Sequence, residues 1–114
     1  MRFQVYWGDV LLGETALEAG DPPMGVAMGR LFPSPDYCRL RKNFISIWGG
    51  HSPQHSDLEV RFNGGGKLDG TPVWLEDYDM GEAFIEVTIF AIDYRIYAET
   101  FPEHHALYYG KSGD

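Results

Sequence analysis

The chain has 114 residues, 44% of them apolar and 15% aromatic, which suits one folded domain over residues 1–114 and excludes a disordered acidic tail. A formal net charge of −8 argues against nucleic acid and against anionic membrane surfaces as partners, because both are bound by clustered Lys and Arg. The single cysteine, Cys38, excludes an internal disulfide framework and a cysteine-based zinc site.

From the N-terminus, Arg2 to Trp7 predicts a strand with Phe3, Val5 and Trp7 on one side. Gly8-Asp9 predicts a two-residue hairpin turn, and Val10 to Leu17 the return strand. Gly20 to Gly25, with Pro22 and Pro23 inside, predicts a stiff turn, since two prolines fix φ and remove two donors. Val26 to Phe32 is the third expected strand, where Gly25 and Gly29 leave room for a neighbouring backbone or a bulge. Ser34-Pro35-Asp36 is a helix start: a capping serine, a proline suited to the first turn, and an acid at the positive end of the dipole. That helix is expected to run to about Lys42. Phe44 to Trp48 then reads as a strand or helix exit, and Gly49 to Ser56 as a polar loop.

Leu58 to Phe62 alternates as a half-buried strand does, and Asn63 to Gly66 turns the chain. Thr71 to Leu75 is expected at a sheet edge because of Pro72, and Ala83 to Ile92 as a central strand. Asp93 to Phe101 fits both periods; the reading adopted is a helix capped by Asp93 and ended before Pro102. Ala106 to Tyr109 is a short strand or an extension of that helix. The sum is a single α+β domain, a mainly antiparallel β-sheet of about six strands with one or two helices.

Motifs for chemistry are sparse. His51 and His55 stand four apart near Asp57, and His104 and His105 could join them, but Pro53 and Gly49-Gly50 favour a loop with solvated histidines over a metal site. Glu76, Asp77, Asp79 and Glu82 around Gly81 do not follow calcium-loop spacing. Gly64-Gly65-Gly66-Lys67 lacks the hydroxyl residue a phosphate loop needs after its lysine, so a hairpin turn is expected. Cys38, beside Arg39, is read as buried and inert. No catalytic residue and no cofactor is expected.

Charge distribution carries more. Between Arg2 and Arg30 lie four acids and no base; between Lys67 and Arg95 lie seven acids and no base. Such stretches set up a negative field that attracts basic partners. Trp74 and Tyr78 sit in or beside the run from Glu76 to Glu82, as aromatic anchors ringed by charge do at interfaces. Trp74, Glu76, Asp77, Tyr78, Asp79 and Glu82 are therefore the expected partner contacts.

The stretch Leu17-Glu18-Ala19-Gly20-Asp21-Pro22-Pro23-Met24-Gly25-Val26-Ala27-Met28-Gly29-Arg30-Leu31-Phe32-Pro33 resembles small uncharacterised bacterial proteins and brings no activity with it. In overall character the chain is similar to immunity proteins of bacterial toxin systems, and phage-encoded anti-defence inhibitors look alike at this level. That resemblance implies an inhibitor that binds and blocks a basic protein, such as a toxin domain; the absence of a signal-like or spanning apolar run makes a cytoplasmic protein the default expectation, and the absence of a catalytic signature a non-enzyme. Two other readings stay open: a metal-dependent enzyme or ligand-binding domain using His51, His55 and Asp57, and a housekeeping interaction module, including a homodimer through an edge strand.

Overall fold

Alternation of apolar and polar residues builds most of this molecule. A computed structural model describes residues 2–44, 58–81 and 84–109. Among these residues eight strands form one hydrogen-bonded sheet: β1 (Phe3–Trp7), β2 (Val10–Thr15), β3 (Ala19–Asp21), β4 (Val26–Pro33), β5 (Leu58–Phe62), β6 (Lys67–Leu68), β7 (Val73–Asp77) and β8 (Ile85–Ile89). Their order is β6-β5-β1-β2-β4-β8-β7, with β3 paired to β4 beside β2, and every pairing is antiparallel. The helices are α1 (Pro35–Leu40), α2 (Tyr94–Thr100) and α3 (Pro102–Tyr109). The α+β class and the mainly antiparallel sheet are as expected. The sheet is curled, and its concave side holds Phe3, Val5, Leu12, Val60, Leu75, Val87 and Ile89, all buried.

Local chemistry accounts for the ends of these elements. Gly8 takes φ 63° in the β1–β2 turn. The Ser34 side chain accepts from the Tyr37 N–H, and the Asp93 side chain from the Arg95 N–H, so both expected caps are made. Pro72 precedes β7, which is the end strand of the sheet path, and β8 lies between β4 and β7.

Three expectations need correction. The stretch from Gly20 to Gly25 is not all turn: Ala19–Asp21 pairs with β4 as a strand, and only Pro22–Met24 forms a 3₁₀ turn closed by Gly25 at φ 67°. Among the described residues there are three helices, because Pro102 both stops α2 and opens α3, the first turn being where proline's missing N–H costs nothing. Cys38 is exposed on α1, not buried. The expected exit at Phe44 to Trp48 and loop at Gly49 to Ser56 fall almost wholly outside the described residues; Phe44 itself is buried against Trp7 and Tyr37.

Two β-bulges shape the curl. In β2 the register with β1 slips at Leu12, between Val5↔Gly13 and Tyr6↔Leu11. Farther on, β2 and β3 run along the same partner: Thr15 faces Leu31 and Ala19 faces Met28, so Ala16, Leu17 and Glu18 oppose only Gly29 and Arg30. An extra residue on one strand bends it and strengthens its twist. Leu17 absorbs the mismatch at φ 47°, fully buried, with its N–H donated to Thr15 Oγ1 at 3.1 Å. Gly29 is required opposite: a Cβ there would stand 2.9 Å from Leu17 Cα and 2.5 Å from a Glu18 carboxylate oxygen. Gly29→Ala is accordingly expected to cost about 1–3 kcal/mol in urea denaturation. The control Gly64→Ala, at a turn with open space around it, should stay within about 0.5 kcal/mol of the parent.

Candidate partner-binding site

The bulge turns Glu18 onto the outer, convex side of the sheet. Its Oε2 accepts the Arg30 backbone N–H at 3.1 Å, which holds an exposed carboxylate in place. Cross-strand register then sets its neighbours. Glu76 on β7 lies directly opposite Glu86 on β8, and Glu86 directly opposite Arg30 on β4. One row further along, Trp74, Thr88, Met28 and Ala19 face each other across four strands. A cavity of about 310 Å³ opens on this face, lined among others by Glu18, Met28, Arg30, Tyr78, Phe84 and Glu86. Tyr78 and Phe84 are 42% and 48% exposed, so rings of useful size reach solvent here. Trp74 is half-buried and packs edge-on against Phe90, with centroids 4.9 Å apart.

The electrostatics are those of crowded carboxylates. Burial pushes the Glu86 carboxyl above its ordinary range, and the charges of Glu76 and Glu18 push it further. Burial also raises the Tyr78 hydroxyl, with Glu76 and Glu86 adding to it, and that hydroxyl donates to Glu76 at 3.3 Å. Arg30, the base nearest to hand, stacks on Phe32 with its guanidinium carbon 4.6 Å from the ring centroid, while Arg2 takes a place on the same ring at 4.3 Å. Arg30 Nε is buried without a hydrogen-bond partner among the described residues.

The expected contact residues separate by strand parity. Trp74, Glu76 and Tyr78 belong to the outer face. Asp77, expected as a surface contact, is 1% exposed and points the other way. It accepts from the Tyr37 hydroxyl at 2.7 Å and from Arg41 Nε at 3.0 Å, and its other oxygen takes the Asp79 N–H at 2.8 Å. Asp79 is exposed but pairs with Arg41 through a short contact. Asp77 and Asp79 thus fasten the end of β7 to α1. Glu82 lies outside the described residues, as do His51, His55 and Asp57. His104 and His105 face α2: His104 Nδ1 is 3.1 Å from the Tyr97 hydroxyl, and His105 Nε2 is 3.2 Å from that of Tyr94. Among the described residues no group of three or more His, Cys, Asp or Glu is placed to hold a metal ion. No helix among them is long and apolar enough to cross a membrane.

Glu18, Met28, Phe84 and Glu86 were not singled out by sequence reasoning. Glu86 had a usable signal, the single carboxylate among Ile85, Val87 and Ile89, which alternation must turn outward. Glu18 had none, because its direction depends on the bulge. Comparison with protein-family models, with curated proteins and with solved structures gave no match. The reading of the face therefore rests on its own chemistry.

Two substitutions test this division. The folded state holds the Glu86 proton more firmly than the unfolded chain does, so its contribution to stability is complete below the ordinary value of 4.5 and is lost as pH rises through the raised folded value. Glu86→Gln is expected to be more stable than the parent at neutral pH, by about 0.2–1 kcal/mol, with the gap closing as pH falls towards 4.5. Tyr37→Phe leaves the buried Asp77 short of a donor and should cost about 1–3 kcal/mol at neutral pH. Burial, and then the bond to Asp77, raise the Tyr37 hydroxyl above its ordinary 10.0, so its contribution is lost on the alkaline side and the difference between the two proteins should shrink as pH climbs past that value.

Proposed function

We propose that the chain is an acidic protein-binding inhibitor that captures a basic protein on the outer face of β4, β8 and β7, in the manner of an immunity protein occluding the active site of a basic toxin. On this reading it is a binding protein and not an enzyme. The observation that carries the proposal is that Glu18 and Glu86 line one cavity and Glu76 lies directly opposite Glu86, while Arg30, on the same cavity, stacks on Phe32. Like charges directly opposite each other destabilise a sheet. A lysine or arginine arriving from a partner offsets that repulsion, so the cost paid in the free protein becomes affinity in the complex. Tyr78, Phe84 and Trp74 give the ring area that dominates interface energetics, while the net charge of −8 steers a basic partner in from a distance.

The test uses two columns, one carrying the parent protein and one carrying the Glu76→Lys/Glu86→Lys variant, loaded with lysate of the source organism and developed with salt. A basic protein held by the parent, released as salt rises and lost from the variant is the expected result. With that protein purified, the double reversal should weaken affinity about 10–100-fold, much of it through slower association. A basic protein held equally by both columns would place the contact elsewhere and end this reading.

A further inference from the structure

The acidic cavity does not end at Glu18. Beyond it, between α3 and the bulge that joins β2 to β3, lie two adjoining cavities of about 400 Å³ each. Glu18 lines both of them as well as the acidic cavity, and Ala19 is shared between one of them and that cavity, so the surface is continuous. Its chemistry changes along the way. The floor is apolar, made by Phe3, Leu17 and Phe101, all buried. Leu107 stands on the rim at 84% exposure. Among the described residues the charged lining is Glu18, Glu99 and Glu103, each exposed, with no lysine or arginine in either cavity. His104 supports the floor with its ring stacked on Phe101 at 4.9 Å and its Nδ1 engaged by Tyr97.

We infer that this groove receives an apolar side chain flanked by lysine or arginine, from the same basic partner that meets the outer face; the inference rests on the partner-binding reading above. An apolar floor rewards burial of one aliphatic or aromatic side chain. Acids around that floor select what may flank it, since a neighbouring carboxylate or phosphate would be repelled and a neighbouring ammonium or guanidinium attracted. A polar basic segment satisfies the rim and wastes the floor; an acidic apolar segment does the reverse. Only a segment that is both uses the whole surface, and the shared Glu18 lets its next basic residue reach the Glu86 cavity.

Amide NMR on the isotope-labelled full chain tests this with three short synthetic peptides: alternating lysine and leucine, alternating lysine and serine, and alternating glutamate and leucine. The lysine–leucine peptide should move the amides of Ala16, Glu18, Thr100, Phe101 and Glu103 to Leu107. It should bind about ten-fold more tightly than the lysine–serine peptide, the factor that burying one leucine supplies. The glutamate–leucine peptide should leave those amides in place. Glu99→Lys/Glu103→Lys, two changes at exposed positions, should weaken the lysine–leucine peptide about ten-fold. Equal response to both lysine peptides, equal response to both leucine peptides, or no response along α3 would each overturn the inference. Response confined to Glu76, Tyr78 and Glu86 would overturn it while leaving the outer-face reading intact. Response at Ala16, Glu18 and α3 alone supports the groove and leaves the outer face to the column test above.

Discussion

The bulge at Ala16–Glu18 is the constraint on which the working surface depends. Without the extra residue, β2 and β3 would be one regular strand along β4, and its side chains would alternate without interruption. The mismatch puts Leu17 into the left-handed region, where leucine is uncomfortable, and the site tolerates it because Leu17 is wholly buried and its N–H is taken by Thr15. Gly29 gives the space. The return is geometric: Leu17 becomes floor for the groove, and Glu18 swings over Gly29 to hold the Arg30 N–H. One local irregularity thus feeds three adjoining cavities, and the carboxylate common to them is held by a backbone donor.

Parity along β7 assigns opposite duties to residues that are adjacent in sequence. Glu76 looks out and meets Glu86; Asp77 looks in and meets Tyr37 and Arg41. A buried carboxylate is expensive unless its lone pairs are used, and Asp77 uses them on a hydroxyl, a guanidinium and a backbone N–H. An outward carboxylate facing another is mildly unfavourable. The same residue class therefore stabilises the fold at one position and holds back stability at the next.

Much of this was legible beforehand. Strand alternation at Phe3–Trp7, Leu58–Phe62 and Ile85–Ile89, the caps at Ser34 and Asp93, and the edge position signalled by Pro72 all follow from local chemistry, and the glycine at 29 marked a bulge or a close backbone. What local chemistry does not hold is which strands become neighbours. An acidic run from Glu76 to Glu82 reads as one patch in the sequence, yet its first two members point to opposite sides of a strand. Glu18 and Glu86 are 68 positions apart and reach one cavity only because β4 lies between β3 and β8. Pro102 was read as a stop because a stop and a start look the same when the following helix has so weak an amphipathic pattern.

Arg30 decides how acidic the outer face is. It lies directly across from Glu86, so an ordinary cross-strand ion pair was within reach and would have neutralised the row. Among the described residues it makes no ion pair; it shares the Phe32 ring with Arg2, whose own carboxylate partner is Glu14. The two options are close in energy, since a cation–π contact is worth about 0.5–1 kcal/mol or more and a cross-strand charge pair about 0.2–1 kcal/mol. Phe32 is thus enough to draw the guanidinium aside and leave Glu86 to its like-charged neighbours. An incoming cation then meets a Glu86 that Arg30 does not hold, and Arg30 keeps its ring. Were Phe32 a small residue, the same guanidinium would fall back on Glu86, and the face would be better paired and less attractive. The affinity of this surface for a base is therefore set as much by an aromatic ring that removes a competitor as by the carboxylates themselves.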